Sequence, residues 1–304
     1  MIEFHRMTPE KRDHYESILF ACPERGCEYS FSNLFLWGHQ YTAEVSGCIL
    51  FFSHFNGKSV YPCPIGPGDK KAAVEAILHD AGKRGLPCRI TGITEPDKLA
   101  LEALFPGKFH FRPDRDSFDY VYDIHALADL RGRKMQKKRN HFNRFQAEHP
   151  EYRTEPLTPE RIPLARKFAE EWYARRAEMD PDRDFLLEQL ALYKAFHHHA
   201  ELKMEGIVLM EGDRVLAFAM GSRLREDTFD IHFEKAREDI PGAYNAVNCE
   251  FARYLRLRHP EVAFLNREDD MGIEGLRHAK LDYKPHHMVE KYWAYLQEEI
   301  YGDA

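Results

Sequence analysis

"TFDIHFEKAREDIPGAYNAVNCEFARYLRLR", residues 228–258, changes its hydrophobic period half-way along. From Thr228 to Lys235 the apolar Phe229, Ile231 and Phe233 alternate with Asp230, His232 and Glu234. Period two belongs to a β-strand whose two residue sets face opposite sides of a sheet. From Gly242 the period becomes helical: Ala243, Val247, Phe251, Tyr254 and Leu255 share the core side of a helix over 242–258. The polar strand face reads either as the solvated side of an antiparallel sheet or as a cleft wall, with His232 or Glu234 placed to accept a proton. The helix start offers free backbone N–H groups and the positive end of the helix dipole, a natural anion site. Nothing bulky in Pro241-Gly242-Ala243 blocks an approach to it, and Asn245 and Asn248 add polar groups in the first two turns. Gly242, Tyr244 and Asn245 are therefore candidate substrate-binding residues.

The succession extends both ways from this core. Upstream, YRTEPL (152–157) is a strand, and Thr158-Pro159 opens a helix with Ile162, Ala165, Phe168, Ala169 and Trp172 on one face. GIVLME (206–211) and RVLAFAMGS (214–222) form a hairpin around Gly212-Asp213. Downstream, EVAFLN (261–266) is a strand, 272–281 a short helix, and HHMVEKYWAYL (286–296) a last strand. The first half runs in the same order. IEFHRM (2–7) is a strand, Thr8 an N-cap and Pro9 the first helical residue. CILFFSHF (48–55) and SVYPCPI (59–65) are strands joined at Asn56-Gly57. A helix over 69–84, the strand CRITGI (88–93), a helix over 95–104 and the strand SFDYVYD (117–123) complete it. The repeated order predicts an α+β fold of two tandem domains. Each is a mixed, mostly antiparallel sheet flanked by helices. The boundaries read as 1–126, a basic linker helix over 127–150, and 151–304 with the site.

The strand ending at Asn266 runs into "LNREDDMGIEGLR", residues 265–277. One Asp of Asp269 and Asp270 can cap the next helix. Arg267, Glu268 and the second Asp exceed what a turn needs. Gly272 and Gly275 cost about 1 kcal/mol each in a helix relative to Ala, which close backbone approach by a ligand would explain. Arg277 and Lys280, three apart, share a helix face. The group reads as a salt-bridged corner or as a polar site at the carboxyl end of a strand. A second charged feature is "LRGRKMQKKRNHFNRF", residues 130–145, with seven Lys or Arg between Arg131 and Arg144. It is single-signed in a chain of net charge −7, and Phe142 and Phe145 can dock it. A nearby polyanion would account for the excess.

No apolar run approaches the ~20 residues needed to cross a bilayer, and the N-terminus lacks a secretory h-region. The chain reads as cytoplasmic. Cys22, Cys27, Cys48, Cys63, Cys88 and Cys249 form no C-x-x-C pair and read as free thiols. His197, His198 and His199 read as a polar helix end rather than metal ligands, because consecutive helical positions point in different directions. No metal site is expected.

KKRNHFNRF (137–145), HFEKA (232–236), GAYNAVNCEF (242–251) and LNREDDMGIEGLRHAKLDYKP (265–285), in this order, resemble the C-terminal catalytic region of bacterial phosphatidylglycerol lysyltransferases. The resemblance covers nearly the whole chain. It implies two tandem GNAT-like domains (the acyl-CoA N-acyltransferase type), similar to the Fem-type aminoacyltransferases. Those families move an aminoacyl group from a charged tRNA to an acceptor. GNAT-type enzymes use a strand, a glycine loop and a helix to receive the pyrophosphate of coenzyme A, so acyl-coenzyme A is the alternative donor. A non-catalytic module binding a nucleotide, charged tRNA or polar metabolite is the other alternative. The lipid-modifying members carry a membrane-spanning N-terminal region that this sequence does not contain. The acceptor is thus open between a lipid headgroup and a small molecule. An aminoacyl ester is already activated, so no metal, cofactor or covalent nucleophile is required; the enzyme must orient the acceptor, remove a proton and stabilise an oxyanion. The expected base is Glu234 or His232. Asp269 would grip the aminoacyl ammonium, and Glu268 would help to wall the cleft. Arg267, Arg277 and Lys280 would bind anionic parts of the substrates, and Lys137, Lys138, Arg139 and Arg144 the tRNA backbone.

Overall fold

The computed structural model describes residues 1–37, 41–55, 57–181 and 185–297. Asn56 of the expected hairpin turn lies outside them; Gly57 beside it has the left-handed φ of 72° that such a turn uses. The chain forms two compact units. One comprises residues 1–119, 269–274 and the chain from Met288; the other comprises 120–268 and 275–287.

The first unit carries β1 (His5–Arg6), β2 (Tyr41–Val45), β3 (Cys48–Phe55), β4 (Lys58–Pro62), β5 (Arg89–Thr94) and β6 (Phe109–Pro113). Its helices are α1 (Arg12–Leu19), α2 (Phe31–Trp37), α3 (Lys70–Arg84) and α4 (Glu95–Leu104). The ends of α3 follow from local chemistry. The Asp69 side chain accepts from the Ala72 N–H at 3.0 Å, and Gly85 takes the left-handed φ of 65° that closes the last turn. The buried Ala73, Ile77 and Ala81 of α3 join Leu50, Tyr61 and Ile90 in the core.

The second unit carries β7 (Asp119–Asp123), β8 (Arg153–Pro156), β9 (Glu205–Glu211), β10 (Arg214–Arg225), β11 (Thr228–Ala236), β12 (Phe264–Asn266) and β13 (His287–Val289). Its helices are α5 (Ile124–Asp129), α6 (Gln136–Glu148), α7 (Ile162–Met179), α8 (Leu186–His197), α9 (Ala243–Arg258) and α10 (Glu274–Leu281). The strand order is β13-β7-β12-β11-β10-β9-β8. Phe168 of α7 and Phe196 of α8 pack on Phe218 of β10, whereas Phe251 of α9 packs on Phe229 of β11. Helices therefore cover this sheet through two different sets of core residues. The basic stretch is no free linker. It forms α6, which buries Phe142 and Phe145 within the second unit.

The last strand departs from the sequence expectation. HHMVEKYWAYL is broken at Glu290: β13 is the edge of the second sheet, and β14 (Lys291–Leu296) enters the first, giving the order β1-β2-β3-β4-β5-β14-β6. The physical reason is Lys291, 1% exposed, whose ammonium lies 2.8 Å from Asp119 and 2.7 Å from Glu28. A charge so buried is held by its partners, and no periodicity reveals them. In each sheet one pair runs parallel, β4–β5 and β11–β12, and the other described pairs are antiparallel. The fold is α+β, two GNAT-like units of mixed, mostly antiparallel sheet. Among the described residues no helix is long and apolar enough to cross a membrane.

All six cysteines are free and buried. Burial pushes the Cys22 thiol up to about 11 and that of Cys249 up to about 12. Native protein at pH 8 should therefore consume almost no aromatic disulfide reagent, and all six thiols should titrate once denaturant is added. Rapid reaction of two or more thiols in the native state would contradict this packing.

Candidate functional site

The polar residues of β11 do not share one face. Phe229 rests on Phe251 of α9, with ring centroids 6.1 Å apart. Glu234, five residues on, accepts from Asn248 of the same helix at 3.0 Å. An unbroken strand would place them on opposite faces. The β10–β11 register shows what reverses the parity: Met220 pairs with Phe233 and Gly221 with Ile231, leaving His232 as the extra residue of a β-bulge. Lys235 then faces the other way, 3.9 Å from the Trp172 ring of α7. The expected single row of Asp230, His232 and Glu234 is thus split into two sites.

The first contains His232. Its Nδ1 lies 2.8 Å from Glu268 Oε1 and 3.6 Å from Asp230 Oδ2, and its Nε2 lies 2.8 Å from Ser222 Oγ. Ser222 and Asp230 are cross-strand partners in the β10–β11 register. Glu268 reaches the ring because the chain turns sharply after β12. Its φ is 54°, a left-handed value rare in a side-chain-bearing residue. The Asn266 side chain accepts from the Glu268 N–H at 2.7 Å, and the Lys280 ammonium donates to the carbonyls of Arg267 at 2.5 Å and Glu268 at 3.3 Å. Lys280, expected to bind a substrate anion, instead fastens this turn and is itself buried.

The second contains Glu234 and Arg267. Arg267 donates to Glu234 through Nε at 3.0 Å and through Nη2, with both side chains only about one-eighth exposed. The guanidinium stands over the rings of Tyr122 and Tyr283, at 5.5 and 5.1 Å. Burial works against its charge, but Glu234 and the two phenols outweigh it and raise its pKa. Burial likewise pushes both phenols up, so they remain neutral hydroxyls. Asn245 donates to the Tyr283 hydroxyl at 2.7 Å. Lys138 of α6 lies 4.2 Å from the Tyr283 ring and 3.7 Å from Asp282. Burial depresses its pKa, Asp282 opposes this, and Arg267 and Lys137 add to it. Two polar atoms here are buried without a hydrogen-bond partner among the described residues: Arg267 Nη1, a donor, and Asn248 Oδ1, an acceptor. Glu234 is engaged on both oxygens, by Asn248 and Arg267, and His232 on both ring nitrogens, by Ser222 and Glu268.

The sequence pattern of the family described as phosphatidylglycerol lysyltransferase, C-terminal, matches residues 20–295. The chain belongs to this family. A solved structure of a conserved protein of unknown function from Bacteroides thetaiotaomicron is 35% identical, with a TM-score of 0.92, covering 98% of this chain and all of that one. L-PGS from Bacillus licheniformis shares the fold at 18% identity and a TM-score of 0.69, over 97% of this chain and 94% of that one. FemX shares it at 12% identity and a TM-score of 0.57, with 99% of each chain covered. The chain also matches an uncharacterised Mycoplasmoides gallisepticum protein, 26% identical over 179 residues, which are 58% of this chain. It spans about half the length of that curated relative, 55%.

Within this phosphatidylglycerol lysyltransferase C-terminal fold, several expected residues take other places. Asp269 and Asp270 lie in the first unit. Asp269 Oδ1 accepts from the Met271 N–H at 3.1 Å; Asp270 is fully buried, takes Gly272 N–H at 2.9 Å and pairs with Arg115 at 3.1 Å. α10 begins only at Glu274, so Gly272 lies before it, with a φ of 72°. Arg277 lies on α10, three residues before Lys280. Tyr244 lies against Trp172 and the Ala236 backbone. Gly242 does have a left-handed φ, 86°, but a Cβ there would stand 2.4 Å from the His141 carbonyl oxygen of α6. The approach to the start of α9, expected to be open, is occupied by α6. Arg139 donates to the Leu130 carbonyl at 2.6 Å and Arg144 pairs with Glu148 at 2.7 Å, whereas Lys137 is mostly exposed.

Ser222, Tyr122 and Tyr283 were missed by the sequence reading. Ser222 could be placed opposite Asp230 from the hairpin, but its bond to His232 depends on the bulge. Three ligating atoms also come together at Asp230, His232 and Glu268, and at Cys27, Glu28 and Asp119. In the latter group the Lys291 ammonium already supplies the cation. In the former, the 2.8 Å between His232 and Glu268 is a hydrogen-bond length, shorter than the about 3.3 Å between ligands of a tetrahedral zinc.

Glu234→Gln should lower unfolding stability by about 3–5 kcal/mol, because it leaves the Arg267 charge buried without its partner. Adding Arg267→Met should recover about 1–3 kcal/mol as coupling between the two sites. Urea titrations of both single variants and the double variant measure it, and additive losses would show that the pair is not coupled. Gly242→Ala should cost about 2–4 kcal/mol from backbone strain and the clash with α6, read the same way.

Proposed function

We propose that this chain is an acyltransferase of the aminoacyl-tRNA-dependent type, with its site in the second unit. The observation that carries this reading is the buried Arg267–Glu234 pair with an unmet donor, Arg267 Nη1, and an unmet acceptor, Asn248 Oδ1, beside it. Buried polar groups are ordinarily satisfied, so a polar substrate group fits there. Family membership and fold support acyl transfer, and we take His232 as the base, because the Glu268 carboxylate beside its Nδ1 would stabilise the ring once it is protonated. The acceptor's proton passes toward His232, and the α-ammonium of an aminoacyl group suits Asn248 Oδ1 and the Glu234 carboxylate. Arg267 Nη1 is a donor for the carbonyl oxygen or a phosphate. Lys138 adds a cation beside Tyr283, and the exposed Lys137 is free of the intrahelical pairing that engages Arg144.

Coenzyme A is the second donor class, and one observation counts against it. A pyrophosphate at the start of α9 would meet the His141 carbonyl, itself an acceptor, next to Gly242. A tRNA donor also gives the basic face of α6 a partner. The acceptor is a hydroxyl or amine on either a lipid headgroup or a small molecule.

The test is transfer from a labelled pool of aminoacyl-tRNAs, with phosphatidylglycerol vesicles in one arm and a low-molecular-weight cell extract in the other. Label should leave the tRNA only with protein present. Lys137→Glu should raise KM for the tRNA severalfold at low salt, with the difference shrinking as salt rises. No loss of label in either arm, together with tight binding of acetyl-coenzyme A, would overturn the tRNA donor.

A further inference from the structure

The first sheet ends in β5, β14 and β6, and the two faces of this end differ in character. Tyr292, Ala294 and Leu296 of β14 face the core together with Phe109 and Phe111 of β6 and Ile90 of β5. The alternate residues face the other way. Cross-strand partners share a face, so the register fixes what stands there. Tyr295 lies between Arg89 of β5 and His110 of β6, and Trp293 lies beside Arg112 of β6. At Lys291 this face is closed by Glu28 and Asp119. Farther along β14 it opens: His110 and Arg112 are exposed, and Arg89, Trp293 and Tyr295 are half-buried.

We propose that this face of the first unit is a stacking platform for the unpaired bases of a single-stranded nucleic acid. The rings of Trp293 and Tyr295 are nearly parallel, with planes 11° apart and centroids 6.0 Å apart. Every base has a π-face, so such rings accept a strand with little regard to sequence. The indole is held in place: Trp293 Nε1 donates to Asp114 Oδ2 at 2.7 Å, and Asp114 also accepts from Ser117 Oγ at 2.8 Å. A ring already fixed loses little freedom when a base stacks on it.

Charge decides between the possible occupants. The Arg112 guanidinium lies 5.7 Å from the Tyr295 centroid. Among the described residues neither Arg89 nor Arg112 has a carboxylate partner, although the chain carries a net charge of −7. A neutral sugar or an apolar protein surface would cover the rings and leave these charges unanswered. A strand offers bases to the rings and phosphates to the arginines. The platform does not depend on the donor proposed above, and it belongs to a different unit from the basic face of α6.

The test is fluorescence anisotropy of the full chain with labelled single strands of RNA and of DNA, each about 12 nucleotides long, and with an RNA duplex of the same length. At least one single strand should bind more tightly than the duplex, whose paired bases offer the rings no open face. Trp293→Ala and Tyr295→Ala should each weaken that binding about 5-fold or more, the scale of one lost stack. Trp293→Phe and Tyr295→Phe keep a ring and should stay within about 3-fold of the parent. Arg112→Glu should weaken binding and flatten its salt dependence. Circular dichroism checks that each variant is folded. Single strands bound no better than duplex would overturn the platform, as would ring variants that bind like the parent while Arg112→Glu alone fails. Quenching of Trp293 fluorescence by a chitin oligosaccharide but by neither strand would give the face to a sugar instead. Dimerisation abolished by Trp293→Ala, with no strand bound, would give it to a second copy of the chain. Strand binding without aminoacyl transfer would keep the platform and remove the donor, and transfer with no strand bound would do the reverse.

Discussion

The second unit depends on holding the end of β12 in one place. That end is Asn266-Arg267-Glu268, where neighbouring residues serve two sites. Arg267 reaches Glu234 and the phenols, and Glu268 reaches His232. At the second of these two residues the backbone leaves the extended region, with a left-handed φ of 54° at Glu268. Such a conformation is unfavourable for a residue with a Cβ and persists only when its surroundings over-determine it. Lys280 supplies the main restraint. Its ammonium bonds the carbonyls of both residues, and the Tyr122 hydroxyl donates to the carbonyl of Lys280 itself at 2.8 Å. A lysine suits this place because its charge is met by backbone carbonyl dipoles.

The bulge at His232 is the complementary constraint on the other strand. It turns one polar row into two clusters and gives each the company it needs. His232 gains a hydroxyl and a carboxylate, and Glu234 gains a guanidinium and an amide. The two clusters differ in kind. The charges of Glu234 and Arg267 are mutually satisfied, with Arg267 Nη1 and Asn248 Oδ1 left over among the described residues. The His232 cluster is a chain of hydrogen-bond contacts from the Ser222 hydroxyl through the imidazole to the Glu268 carboxylate.

Buried charge has a structural use in the first unit. Lys291, Asp119 and Glu28 form a buried cluster with Cys27 close by. Burial raises the Glu28 pKa against the pull of Lys291, and Asp119 adds to the rise, while the Lys291 ammonium is held charged by its anionic neighbours in spite of burial. This cluster anchors β14 between β5 and β6.

By itself the sequence determined the elements with strong local signals: the period-two strands β9, β10 and β11, the amphipathic α9, the capped α3, and their order repeated in two halves. Local periodicity and turn chemistry are short-range, so one chain suffices to read them. The motif around Arg267 was also legible as too charged for a turn; in the structure Arg267 pairs with Glu234 and Glu268 with His232. Only the tertiary structure decided their partners. Whether Glu234 faces His232 or Asn248 depends on a one-residue bulge, which an alternating sequence does not betray. Whether Lys280 binds a ligand or the chain depends on carbonyls thirteen residues away. Where β14 belongs depends on Asp119, 172 residues earlier. Each is a long-range pairing of charge or hydrogen bond, and such pairings are fixed by burial and backbone geometry rather than by neighbours in the chain.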